Sequence, residues 1–159
     1  MGAKTEALAR QFEEKARDAL RTLEKLSDAD WTKVTDAEKW TVGVTAHHVA
    51  GSHEGIAGII KTVAAGHSIP DFTLDMLHAL NAKHARDFAN VSKADTIALH
   101  KEGAAAAAAV VRGLSDDQLA TSGTVLTGLP AMTAEQVVAN ILINHIDDHF
   151  GSIRKTVGG

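Results

Sequence analysis

The sequence contains no cysteine and no tyrosine, and only two prolines. Without cysteine there are no disulfides, no thiolate metal ligands and no cysteine nucleophile. Aromatics are scarce, with four Phe and two Trp, so the core has to come from Ala, Leu, Ile and Val. Few prolines and many alanines favour helix. No apolar run approaches the roughly 20 residues of a membrane span, and no block of Lys or Arg offers an electrostatic footprint for nucleic acid. The opening stretch, Met1 to Arg10, carries charges and lacks the apolar region of a signal peptide. The cytoplasm is the expected address, and neither membrane nor nucleic acid is an expected partner.

What remains is an ordinary soluble composition. The apolar fraction is 45%, the charged fraction 23% and the net charge −4. A chain of 159 residues is long enough to bury a real core as one domain. Histidine is the exception, at nine residues. It is the commonest metal ligand and titrates near neutral pH.

The apolar pattern predicts helices over 3–26, 41–65, 73–89, 92–113 and 133–157, with a short helical turn at 115–120. In the first, Leu8, Phe12, Ala16, Leu20 and Leu23 recur at three- and four-residue steps. Thr41 caps the second, and Gly66 stops it. Ser92 with Asp95, and Thr133 with Gln136, read as capping boxes. The polar stretch 28–39 reads as a connection and 121–132 as a loop. Ala104–Ala109 reads as a helix face packed closely on a neighbour. The expected architecture is all-α, a single four-helix bundle over 1–159. Its Gly66–Thr73 and Thr121–Met132 connections are long enough for a crossover.

Facing follows from about 100° per residue. On the last helix His145 and His149 lie within roughly 50° of the centre of the buried side, one turn apart on one face. Asn144, Asp147 and Asp148 point to the polar side. On the second helix His47 is expected to be exposed, with His48 and His53 flanking the buried stripe. His84 and His100 fall on the inward faces of their helices, where a satisfied core histidine is the plainer reading. His53, His67 and His78 are expected at the surface. Periodicity alone leaves five inward or flanking candidates: His48, His84, His100, His145 and His149. Gly51, Gly55 and Gly58 form a face open to close approach by another helix, in the bundle or in a homodimer.

Several segments resemble one family. Trp40-Thr-Val-Gly-Val-Thr-Ala-His-His48-Val-Ala, and Asn144-His145-Ile-Asp-Asp-His149-Phe-Gly-Ser-Ile, resemble the DinB-like family's Trp-to-His segment and its closing helix. Leu77-His-Ala-Leu-Asn81, Ser92-Lys-Ala-Asp95 and Leu114-Ser-Asp-Asp-Gln-Leu119 resemble its middle. The resemblance implies a four-helix bundle with a metal site on His48, His145 and His149. Asn81 matches a recurrent position to which no role is assigned. Zinc or nickel suits such ligands best, with iron or manganese as further candidates. The family includes S-transferases that use bacillithiol or similar thiols, and a mycothiol-dependent maleylpyruvate isomerase. The resemblance therefore implies a metal-dependent S-transferase or isomerase acting on a small-molecule thiol and an electrophile. Metal-dependent hydrolysis, a non-catalytic metal-binding stress protein, and a helical interaction module without metal are the alternatives.

Overall fold

Phe12, Ala16, Ala19 and Leu23 place one buried stripe along helix α1, Ala3–Lys25. The computed structural model describes residues 2–158. The predicted stripe holds at Phe12, Ala16 and Leu23, whereas Leu8 and Leu20 are only half-buried and Ala9 and Ala19 sit at the centre. Small residues at the centre let the neighbouring helices come close.

The stretch read as a polar connection contains a single helical turn, α2 (Asp28–Trp31), capped reciprocally by Ser27 and Asp30. A tight antiparallel turn follows. Val34 bridges Thr41, Thr35 N–H donates to the Trp40 carbonyl at 2.8 Å, and Lys39 takes a positive φ of 62°. This turn holds Glu38 and Trp40 against the body. Thr41 then caps α3 (Val42–Ala64) by accepting from Val44 N–H.

Helices α4 (Leu74–Asp87) and α5 (Lys93–Arg112) are capped by Thr73 and Ser92. A further turn, α6 (Asp116–Leu119), leads into the stretch expected as loop. There Ser122–Gly123 (β1) pairs antiparallel with Met132–Thr133 (β2). The last rod is composite: α7 (Ala134–Gln136), a π-helical segment (Val137–Ile143) and α8 (Asn144–Val157). Thr133 and Gln136 form the predicted capping box.

Four rods make the bundle: α1, α3, α5 and the composite last helix. α1 packs on α5 and α8, and α3 packs on the same two. α1 and α3 therefore lie across a diagonal. The chain crosses that diagonal between α1 and α3, and the other one through 121–132. Of the two connections expected to support a crossover, only the second does so. The first, 66–73, leads to α4, which stands outside the bundle and has no buried residue. Leu74, Leu80 and Phe88 are exposed, because α4 has the body on one side only.

The alanine run packs as expected: Ala107 and Ala108 are buried. A Cβ at Gly103 would lie 3.2 Å from the Ala50 carbonyl oxygen and 3.3 Å from His53 Cβ, so α3 and α5 are nearly in backbone contact. Of the glycine face, a Cβ at Gly51 would meet Leu99 of α5 at 3.7 Å, whereas at Gly55 or Gly58 it would meet nothing among the described residues within 4 Å. Among the described residues no helix is long and apolar enough to cross a membrane.

One glycine gives a stability prediction. Trp31 donates from Nε1 to the Val91 carbonyl at 2.9 Å and lays its ring over Gly43, where a Cβ would fall 2.5 Å from Trp31 Cε2. Gly43→Ala gains roughly 1 kcal/mol of helix propensity but overpacks the ring contact at about 1–3 kcal/mol. Urea denaturation is expected to show a net loss of stability. A gain would mean that Trp31 moves aside freely.

Candidate metal centre

His48 comes from the first half of α3, in a run where every residue from Val42 to Ala50 is buried. His145 and His149 lie one turn apart on α8. They sit on the shoulder of the buried face, whose centre is Leu142, Ile146, Phe150 and Ile153. The π-helical turns explain the offset. They insert residues beyond the 3.6-residue period, so a uniform count through the rod misplaces the centre.

The three imidazoles each offer one ligand atom, and these atoms all lie within 4.8 Å of one another. His48 Nε2 and His145 Nε2 are 3.0 Å apart. The ring of His48 is nearly perpendicular to that of His149, at 5.0 Å between centroids, and His145 and His149 are 4.6 Å apart. Trp40 meets His48 edge-on at 5.2 Å. His149 Nδ1 donates to Glu38 Oε2 at 2.7 Å, and Ser152 Oγ donates to Glu38 Oε1 at 2.7 Å. This leaves His149 Nε2 free to face the other two rings.

Burial keeps His48 and His145 unprotonated. Burial, then the neighbouring His149 and His84, pushes His48 down to about 4. Burial, then His149 and His48, pushes His145 still lower. Burial alone would raise the Glu38 carboxyl, but hydrogen bonds from Ser152, Thr35 and His149 outweigh it and hold the group below its ordinary range. Near neutral pH His48 and His145 are neutral imidazoles, and Glu38 is a carboxylate.

This donor set fits a divalent transition metal. Without an ion, one proton shared between the two facing Nε2 atoms is the best the pair can do. Two nitrogens bound tetrahedrally at 2.0–2.1 Å sit roughly 3.4 Å apart, close to the separation already present. A carboxylate behind a ligating imidazole is the usual support for such a ligand.

A cleft of about 330 Å³ opens above the three rings between α3, α4 and the last rod, and reaches Ser52 and Asn81. A second hollow shares His48, Ser52 and Asn81 and continues to His47, His84 and Phe88.

The other histidines partly depart from expectation. His47, expected exposed, is buried at 7% exposure. It faces His84 at 2.7 Å from Nδ1 to Nε2 and stacks on Phe88. The bundle-face count omits α4, which covers that side of α3. His53, expected at the surface, is 1% exposed, because α3 is enclosed by α5 as well as by the last rod. His100 is a satisfied core residue as expected. Its Nε2 donates to the Ala16 carbonyl at 2.9 Å, so its Nδ1 accepts from His53 Nε2 at 3.1 Å. That chain fixes both tautomers and leaves His53 Nδ1 buried without a partner. His84 is half-buried, and its Nδ1 is likewise unmatched. His67 and His78 are exposed.

Asp147 pairs with Lys15, and Asp148 accepts from Asn144. The carboxylate that meets the cluster, through His149, is Glu38, which sequence reasoning missed. It lies in a non-periodic turn, where helical spacing carries no signal.

A family model described as the DinB superfamily matches residues 11–153. No curated protein matches the chain in sequence. Among solved structures, YfiT from Bacillus subtilis, described as a probable metal-dependent hydrolase with an unusual four-helix bundle topology, is similar at a TM-score of 0.74 and 18% identity, over 97% of this chain and 87% of that one. A mycothiol-dependent maleylpyruvate isomerase is similar at a TM-score of 0.74 and 13% identity, over 94% of this chain. This chain spans 60% of the isomerase's length. At these identities the likeness is one of fold.

Proposed function

The chain belongs to the DinB superfamily, and on that premise we propose that it is a metal-dependent enzyme whose ion is held by His48, His145 and His149. The observation that carries this reading is the convergence of three imidazole nitrogens at the floor of an open cleft. Three imidazoles leave an ion with free positions, as in catalytic sites and unlike closed structural ones. Zinc or nickel suits the all-imidazole set, with iron or manganese as further candidates. When bound, such an ion lowers the pKa of a thiol or water and polarises a carbonyl.

The chain's own residues prepare the site. Glu38 fixes the tautomer of His149 through Nδ1–H. Burial keeps His48 and His145 unprotonated. The apolar walls hold bulk water away from a bound molecule. Because the chain has no cysteine, a thiol nucleophile arrives as a low-molecular-weight cosubstrate. The leading reading is therefore thiol transfer to an electrophile, or thiol-dependent isomerisation. Hydrolysis is the second reading, and the size of the cleft favours it. About 330 Å³ is at the small end for one ligand, and water needs less room beside that ligand than a thiol does. A non-catalytic metal-binding protein would be expected to seal its ion, whereas this cleft is open.

Turnover by metal-loaded protein is the test, using uncharged electrophiles and esters with and without added thiol. Thiol-dependent turnover that disappears in His48→Ala supports the first reading. Thiol-independent cleavage supports hydrolysis. Stoichiometric metal without turnover in either panel leaves the non-catalytic reading. A separate prediction concerns Glu38→Gln. It removes the charge behind His149, and a competing chelator is expected to show metal affinity about 10–100-fold weaker. Unchanged affinity would mean that Glu38 does not support the ligand.

A further inference from the structure

Among the described residues, no Lys, Arg, Asp or Glu lines the cleft over the three histidines. Ile56, Ile59, Phe72, Leu77, Leu126 and Ile141 make most of its wall. The Glu38 carboxylate lies behind His149 and is already engaged by it and by Ser152. Away from an ion on the three histidines, a charged group brought against the apolar wall of this space would lose its hydration and find no counter-charge.

Besides the imidazoles and the Trp40 indole, the polar side chains of the cleft are Ser52 and Asn81. Ser52 spends its proton on the His48 carbonyl at 2.5 Å and offers only lone pairs. Asn81 projects from α4 into both hollows. Among the described residues, no protein group hydrogen-bonds its side-chain amide. A primary amide offers a donor and an acceptor side by side, which matches a carbonyl or another amide.

We propose that the cleft selects an uncharged, largely aromatic or aliphatic molecule that seats one carbonyl or amide group on Asn81 beside the three histidines. Asn81 acts as a positioning and specificity residue. The chemistry that follows binding rests on the metal-enzyme reading above, but the selectivity itself does not.

The test uses binding rather than turnover. The probes are para-phenylbenzamide, the same molecule with a carboxylate on its outer ring, and para-ethylbiphenyl, which lacks the amide. Tryptophan fluorescence reports their binding, since Trp40 lines the cleft. Wild-type protein is expected to bind the uncharged amide at least about tenfold more tightly than the carboxylate. Asn81→Leu is expected to weaken the amide about tenfold and to leave the hydrocarbon unchanged. A variant that merely disturbed α4 would weaken both. Equal or tighter binding of the carboxylate overturns the proposal, as does an unchanged amide affinity in Asn81→Leu. Metal content is measured on the same samples. Probe selectivity in protein that takes up no metal would overturn the metal reading alone and leave this one standing.

Discussion

Between pH 7 and pH 4 the protein is expected to lose about 3 kcal/mol of stability through His53 alone. Burial, followed by the facing His100, pushes the folded imidazole from 6.5 to about 3. The unfolded chain takes up this proton near 6.5, and the folded chain resists it until about 3. Across that window the unfolded state binds more protons, so acid favours unfolding. Above 6.5 the contribution is complete, and it declines as pH falls toward the folded value. The physical cause is the hydrogen-bonded chain. His53 gives its one proton to His100 and keeps a bare Nδ1 in a site with no partner. Charging it would place an unpaired cation beside Phe12 and His100. Urea midpoints measured against pH test this in wild type and in His53→Gln, which keeps a donor toward His100 but does not titrate. The variant should show the shallower decline by about the stated amount. Parallel declines would show that His53 does not resist protonation.

The second large effect is metal-linked stability. An ion that binds only the folded site adds about 4 kcal/mol when present at a thousandfold excess over its Kd. Wild-type protein is expected to gain this on saturation with zinc or nickel and to lose it on chelation. His145→Ala should show no such increment. The Nε2 of His145 faces that of His48 at 3.0 Å, and its ring also meets that of His149. Removing it leaves two ligands and opens the middle of the set. Denaturation midpoints with and without metal decide the matter. An equal gain in His145→Ala would place the ion elsewhere on the protein.

Helical spacing made much of this legible beforehand. Phe12, Ala16 and Leu23 follow the 3.6-residue rule, and Thr41, Ser92 and Thr133 cap helices where the sequence places them. His145 and His149 share a face because they are one turn apart, whatever happens upstream. Three things escaped. The π-helical turns at 137–143 break the uniform rotation on which the angular count depends. Helix α4 lies outside the bundle, and it buries His47 from a direction that no two-sided helix pattern includes. Glu38 sits in a turn set by Lys39 at positive φ and by the Val34–Thr41 bridge. Its role arises from long-range contact with α8. Choosing His48 over the other inward histidines also needed the family resemblance, since periodicity alone left five candidates.

The central claim is tested most directly by elemental analysis of protein purified without an affinity tag, with His48→Ala and His149→Ala treated in parallel. The account predicts about one equivalent of a divalent transition metal in wild type, either as purified or after loading with zinc or nickel, and its loss in both variants. Wild-type protein that holds no metal after loading, or variants that keep a full equivalent, would contradict it.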